Sequence, residues 1–202
     1  MKKYIFSALM LAAIPMITTG CLPTVMASTA VVGTTIAEDR TAGDKLDDNI
    51  MSVKIKESFI HEDLDEIMAK VTVSVYEGRV MLTGSVTKEE YAHKAVDLAW
   101  KILGVKEVIN EIQVAKREMK DLAKDTFIEN TVRSKLLLEK NLKSVNYIVD
   151  SHAGVVYLLG LAQDDTELRK AIDISRGVKG VRQVVSHVLM KNDPRRLKKK
   201  GQ

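Results

Sequence analysis

Apolar side chains recur four residues apart at Met51, Ile55 and Phe59, and again at Ile128, Val132 and Leu136. That period marks one face of a helix turned toward a core. After each helix the period shortens to two: Val71, Val73 and Val75 alternate with polar or amphipathic neighbours, Glu77-Gly78 interrupts, and Val80 and Leu82 resume. The pattern predicts two strands joined by a tight glycine turn. Tyr147 and Val149, the turn Ala153-Gly154, and Val156 and Leu158 repeat it. A second helix follows in each half, with Ala92, Ala95, Val96 and Ala99 on one face and Leu168, Ala171, Ile172 and Ser175 matching them. Gly104 and Gly180 are placed to end those helices by taking positive φ, and final strands are expected from Val105 to Val114 and from Val181 to Met190. Asp47 or Asp48 is positioned to cap the first helix, and Asp125 its counterpart.

The repetition is one of sequence as well as pattern. Gly78–Gly84 (GRVMLTG) returns 76 residues later as Gly154–Gly160 (GVVYLLG), and Gly104–Ile112 returns as Gly180–Val188, while the first helices stand 77 apart. One small domain is therefore present twice. The expected fold class is α+β: two tandem αββαβ domains, each a three-stranded mixed sheet with two helices packed on one face, because a one-sided sheet must bury its apolar side. Their expected extents are residues 45–117 and 122–191.

The N-terminus has a different character. Lys2 and Lys3 precede an uncharged stretch from Tyr4 to Ile17 that ends at Thr18, Thr19, Gly20 and Cys21, a secretory signal too short to span a bilayer. Cys21 is the one cysteine, so no internal disulfide is possible. A small residue before a cysteine at the end of the apolar run is similar to the lipobox of bacterial lipoproteins, in which that cysteine is acylated and becomes the mature N-terminus. Thr18 stands where such lipoboxes usually carry leucine, and cleavage after Ala27 is the alternative. Residues 1–20 are read as the signal, Cys21 as the lipidation site with palmitate-type acylation, and residues 21–44 as a flexible tether without helical or strand period. Leu22 in place of an aspartate after the cysteine implies, by the same resemblance, the periplasmic face of the outer membrane.

Charge narrows the partners. Of 31 basic and 27 acidic side chains, two lysines lie in residues 1–20 and five bases in the last eight residues, which leaves 24 bases against 27 acids between them. The sequence pI near 9.0 thus reports a tail, residues 192–202, and no basic face for nucleic acid is indicated. That tail contains the helix-breaking Pro194, lacks core-forming residues and is expected to be mobile, either as a second attachment to an anionic bilayer or as a solvated C-terminus.

The αββαβ order, the strands GRVMLTG and GVVYLLG closing on glycine, and the helix followed by a GV-strand resemble BON domains. Two of them behind a lipobox, with AVVGTT (Ala30 to Thr35) just after it, are similar to dual-BON-domain outer-membrane lipoproteins. The segment KDTFIENTVRSKLL (Lys124 to Leu137) carries the likeness most specifically. In such lipoproteins the first helix of the second domain is credited with binding anionic phospholipid, chiefly phosphatidylglycerol.

No catalytic constellation stands out. His61, His93, His152 and His187 sit in different elements without ligand spacing, and neither a Gly-x-Ser-x-Gly elbow nor a phosphate-cradling glycine loop occurs. The expectation is a non-enzymatic protein with no metal and no cofactor. The first helix of the second copy holds the candidate site: Phe127, Thr131, Ser134 and Leu138 form a second stripe roughly 100° from the core face, flanked by Arg133, Lys135 and Lys140. Apolar groups beside cations suit an interfacial lipid contact, and the resemblance adds Asn130 and Leu137 to the set while Glu129 departs from it. Packing of Phe127 and Leu138 against the first domain is the competing explanation. Trp100, off the apolar face of its helix, marks either the domain interface or an ordinary half-buried position. The expected function is an outer-membrane-anchored periplasmic lipoprotein that binds anionic phospholipid membrane and supports envelope integrity, with envelope or division proteins as possible partners. The alternative is an adaptor between envelope proteins whose lipid is only a tether.

Overall fold

In the computed structural model, which describes residues 38–61, 64, 67, 70–116 and 119–197, the first helix, α1, spans Ala42–His61. It starts ahead of both candidate capping aspartates. Thr41 and Asp44 close a capping box in their place: Asp44 N donates to Thr41 Oγ1 at 3.1 Å and Thr41 N to Asp44 Oδ2 at 3.3 Å. The equivalent helix of the second half, α3 (Met119–Leu138), likewise begins before Asp125. The stripes Met51, Ile55, Phe59 and Ile128, Val132, Leu136 are all buried, as their spacing predicts.

Both displaced aspartates have a different task. The hairpins β1 (Val71–Tyr76) and β2 (Arg79–Val86), and β4 (Tyr147–His152) and β5 (Val155–Ala162), turn through Glu77-Gly78 and Ala153-Gly154. All four turn residues have φ between 52° and 78°, the twist that a two-residue hairpin loop needs. A helix carboxylate holds each turn: Asp48 accepts from Glu77 N at 2.8 Å and Gly78 N at 2.9 Å, and Asp125 accepts from Ala153 N and Gly154 N, both at 2.8 Å. These bonds offset the cost of left-handed backbone at the non-glycine residues Glu77 and Ala153.

Each half is completed by a second helix and a third strand, α2 (Glu89–Trp100) with β3 (Glu107–Val114), and α4 (Asp165–Arg176) with β6 (Gln183–Met190). Gly104 and Gly180 have the expected positive φ, 96° and 99°, but stand in the loops beyond the helix ends. Sheet order is β1-β2-β3 and β4-β5-β6, antiparallel in the hairpin and parallel between β2 and β3 or β5 and β6. The fold is therefore α+β, two mixed three-stranded sheets whose helices cover one face. At Gly84 and Gly160 a Cβ would lie only 2.0 and 1.9 Å from the carbonyl oxygens of Lys70 and Asn146, so any larger residue would force the strands apart.

The uncovered faces of the sheets pack on each other. Val80 and Leu82 point into the first core and Val156 and Leu158 into the second, whereas Met81, Val155, Tyr157, Leu159 and Leu161 join Tyr76 and Leu189 in a third cluster. That alternation explains why every residue of β2 and β5 is buried. Contacts across it are reciprocal: β1 approaches β5 and β4 approaches β2. Glu111 and His187, equivalent positions 76 apart, meet each other at 2.8 Å. An approximate two-fold axis thus relates the halves. Trp100 is half exposed and outside the intersheet cluster, so it does not mark the interface.

Both ends of the described chain are tied down further than the sequence pattern predicts. Asp39 receives hydrogen bonds from Asn146 Nδ2 at 2.7 Å, Gln163 Nε2 at 2.7 Å and Lys143 Nζ at 3.2 Å, and pairs with Lys191 at 2.9 Å. Its neighbour Arg40 pairs with Asp48 at 2.9 Å and lies over the Tyr76 ring, 4.0 Å from its centroid. The stretch expected to be tether therefore ends by Glu38, and Glu38–Arg40 straps the second half to the first. At the other end, the turn of helix α5 (Pro194–Leu197) places Arg196 on Glu77 at 2.7 and 2.9 Å, and Arg195 on Asp193 at 2.7 Å. This part of the tail is not loose, because Glu77 of the first hairpin turn receives Arg196. The signal, Cys21, the tether to residue 37 and residues 198–202 lie outside the described residues.

Candidate functional site

Helix α3 turns Asp125, Ile128, Val132 and Leu136 inward, which leaves the opposite side to solvent. Phe127 is 64% exposed, Leu137 60% and Leu138 81%; Asn130 and Ser134, also exposed, fall on the same side by the 3.6-residue period. This side carries no charge along three turns. Packing against the first half does not account for Phe127 and Leu138.

The remaining predicted residues divide. Thr131 is half-buried and spends its hydroxyl on Phe127 O at 2.7 Å. Arg133 is exposed but already engaged: its Nη2 donates to Val149 O at 2.8 Å and pairs with Glu129 Oε1 at 2.8 Å. Burial raises the Glu129 pKa above the usual carboxylate value, and the Arg133 guanidinium opposes that rise. The two charges cancel, so Glu129 does not repel an anion as its sequence position implies. Lys135 is exposed on the flank of the helix.

Cations that sequence spacing did not associate with Phe127 are gathered there by the fold. A cleft of about 920 Å³ is lined by Phe127 and Ile128, by Lys124 of the same helix, by Lys179 and Arg182 from the loop before β6, and by Lys116 from the end of β3 in the other half. Its two acids are engaged: Asp125 by the hairpin turn, and Asp121 by Lys124 at 3.5 Å. An open, partly apolar hollow with four cations at its rim suits an amphiphile with an anionic head. The available signal was the basic loop Lys179–Arg182, 52 residues along the chain from Phe127, which only the tertiary fold brings near.

The first half has a cleft in the equivalent place, about 860 Å³, with Ile50 for Phe127, Leu103 for Lys179 and Lys106 for Arg182. Reciprocity holds here too: the end of β3 closes the cleft of the second half, and the end of β6, through Leu189, closes that of the first. Among the described residues no group of three or more His, Cys, Asp or Glu converges to hold a metal. No described helix is long and apolar enough to cross a membrane. His152 shares a 2.7 Å hydrogen bond with Ser85 between the sheets.

Residues 47–116 and 124–192 each match the BON domain family. The chain is 43% identical over 150 residues to an uncharacterized protein in the gshII 5′ region of Anaplasma centrale, covering 73% of this chain and 97% of that one. It is 29% identical over 167 residues to outer membrane lipoprotein DolP of Haemophilus influenzae, covering 82% and 86%. To a 21 kDa hemolysin of Actinobacillus pleuropneumoniae it is 28% identical over 152 residues, covering 73% and 76%.

Proposed function

We propose, on the premise that this chain belongs to the BON-domain family and carries two copies of the domain, that its second copy engages anionic phospholipid through α3 and the adjoining cationic cleft. The likeness to DolP, an outer membrane lipoprotein, supports a place in the envelope. Acylation at Cys21 would tether it to the periplasmic face of the outer membrane, where about 0.8 kcal/mol per buried methylene makes multiple acyl chains a durable anchor. Support of envelope integrity follows as the role of a tethered domain that senses lipid composition.

One observation carries the reading. An uncharged, apolar helix face, Phe127 with Leu137 and Leu138, borders a rim of Lys116, Lys124, Lys179 and Arg182. Aromatic and aliphatic groups enter the acyl boundary while cations remain at the phosphates, and each base near an anionic surface adds about 1 kcal/mol.

Sedimentation with vesicles tests it, using residues 21–202 with Cys21→Ser so that no acyl anchor contributes. Binding is expected to phosphatidylglycerol-containing vesicles and to be much weaker on phosphatidylcholine alone. Phe127→Glu should lower affinity by about ten-fold or more, since burying a phenylalanine is worth roughly 1.5–3 kcal/mol, and Lys179→Glu with Arg182→Glu should remove the preference for anionic lipid. Equal binding to both vesicle types, or an unaffected Phe127→Glu variant, would refute the assignment.

The adaptor reading has its own observation. On α1, Leu46, Ile50, Val53 and Ile60 are 43–59% exposed at spacings of four, three and seven, in phase with a helix-pairing seam that Glu57 interrupts. Under that reading the chain binds an envelope protein or cell-wall fraction and shows no preference for anionic over zwitterionic vesicles.

A further inference from the structure

The two clefts have the same architecture but not the same chemistry, and their differences point to a second membrane contact. Where the second half has Arg176 at the end of its second helix and Lys179 in the loop after it, the first half has Trp100 and Leu103. Leu103 is 95% exposed, Trp100 50% and the facing Ile50 43%. An almost wholly exposed leucine at a loop tip has no packing role in the fold. Bases surround it: Lys101 in the same loop is exposed, Lys54, Lys106 and Arg195 line the cleft with Ile50 and Leu103, and Arg196 closes one side. Three acids share this rim, Asp47, Glu77 and Glu107; Glu77 is held by Arg196, and Glu107 by Arg79 at 2.5 Å.

Residues near both ends of the described chain border this cleft. Asp44, in the first turn of α1, and Arg196, near the end of the described chain, line one hollow together with Glu77 and Gly78. The segment bearing Cys21 joins at Glu38, four residues before α1, and Lys198, Lys199 and Lys200 follow directly on Leu197.

We infer that the end of α2 and the loop after it, Trp100–Lys106, with Ile50 and the Arg195–Arg196 turn, is an insertion surface of the first domain for an anionic bilayer. Trp100 and Leu103 enter the interface while Lys54, Lys101 and Lys106 lie at the phosphates; Arg195 is held by Asp193. This surface is on the other domain from the α3 site and does not depend on it. The occupant is the lipid surface itself: the leading side chains are a tryptophan and a leucine ringed by bases, which matches an acyl–headgroup boundary.

The molecule carries its own probe, because Trp100 is the chain's single tryptophan. With residues 21–202 carrying Cys21→Ser, adding phosphatidylglycerol vesicles should shift Trp100 emission to the blue, and lipids brominated on their acyl chains should quench it. Phosphatidylcholine vesicles should do neither. Phe127→Glu weakens binding at the other domain but should leave the shift in place at saturating lipid. Leu103→Glu, at a position too exposed to affect folding, should abolish the shift and lower vesicle affinity about ten-fold. The inference is overturned if the chain binds vesicles with unchanged Trp100 emission, if the shift occurs without acyl quenching, if neutral lipid produces it equally, or if Phe127→Glu alone removes it. Failure of the α3 site with a surviving, quenchable Trp100 shift would leave this surface standing by itself.

Discussion

Asp150 is a carboxylate enclosed between two sheets, 7% exposed, accepting from Thr83 Oγ1 and from Ser151 N at 2.8 Å. Burial pushes its pKa above the usual carboxylate value and the Thr83 hydrogen bond only partly opposes this. A raised folded-state pKa means that the native state favours the protonated form. Its contribution is complete below the ordinary carboxylate pKa and is lost as pH rises through the raised value. At neutral pH the ionised group is a burden, so Asp150→Asn, which still accepts from Thr83, should raise Tm at pH 7 by about 2–4 °C per kcal/mol relieved. The gain should fade toward pH 4; a melt series in which the variant is less stable at pH 7 would contradict the account. At this scale the sequence was partly legible. The spacing of Phe127 and Leu138 announced an exposed apolar side, but Arg133 reads as a free base only until the backbone of β4 is placed beside it. Asp48 and Asp125 read as caps because a short acid near an apolar run serves equally as an N-cap or a turn clamp, and only the hairpin's position separates the two.

The elements themselves were legible, since a change of period from four to two locates each helix-to-hairpin boundary whatever the tertiary contacts. Helix starts were not, as the capping box at Thr41 lies in a segment without apolar period. The clamp between the first helix and its hairpin is the feature of this scale with the clearest consequence. Asp125→Ala would leave two turn N–H groups without an acceptor and Ala153 in left-handed backbone with nothing to offset it. A loss of about 2–4 kcal/mol is expected, since a hydrogen bond to a charged group contributes ~1.5–3 kcal/mol. Denaturant unfolding measures this; a loss of less than about 0.5 kcal/mol, the scale of an ordinary surface substitution, would show that the turn forms without the carboxylate.

At the scale of the whole molecule, the back-to-back sheets were the part least visible. The run VVYLLGLA (Val155 to Ala162) has the continuous hydrophobicity of a strand covered on both sides, yet nothing in it says that the second cover is the other domain. The Glu38–Arg40 strap was invisible, being three polar residues after an unpatterned stretch. It is held by charge: burial alone would raise the Asp39 pKa, but Lys191, Asn146, Lys143 and Gln163 hold it far below the ordinary carboxylate range. Asp39→Ala should therefore cost about 1–3 kcal/mol and release the strap, so that trypsin cuts after Arg40 faster than in the parent chain. Unchanged cleavage would show that Arg40 with Asp48 and Tyr76 suffices.

Because each hollow borrows its far wall from the opposite half, a polypeptide with only one module could assemble a complete hollow by pairing with a second copy of itself, but both hollows would then be identical. Joining two modules in one chain removes that constraint. Phe127 could then differ from Ile50, and Lys179 from Leu103, without either change being copied onto the opposite side. The same sharing means that a single excised module is a poor reporter: it would display an incomplete hollow and a greasy sheet, and its behaviour toward lipid would describe the cut and not the parent.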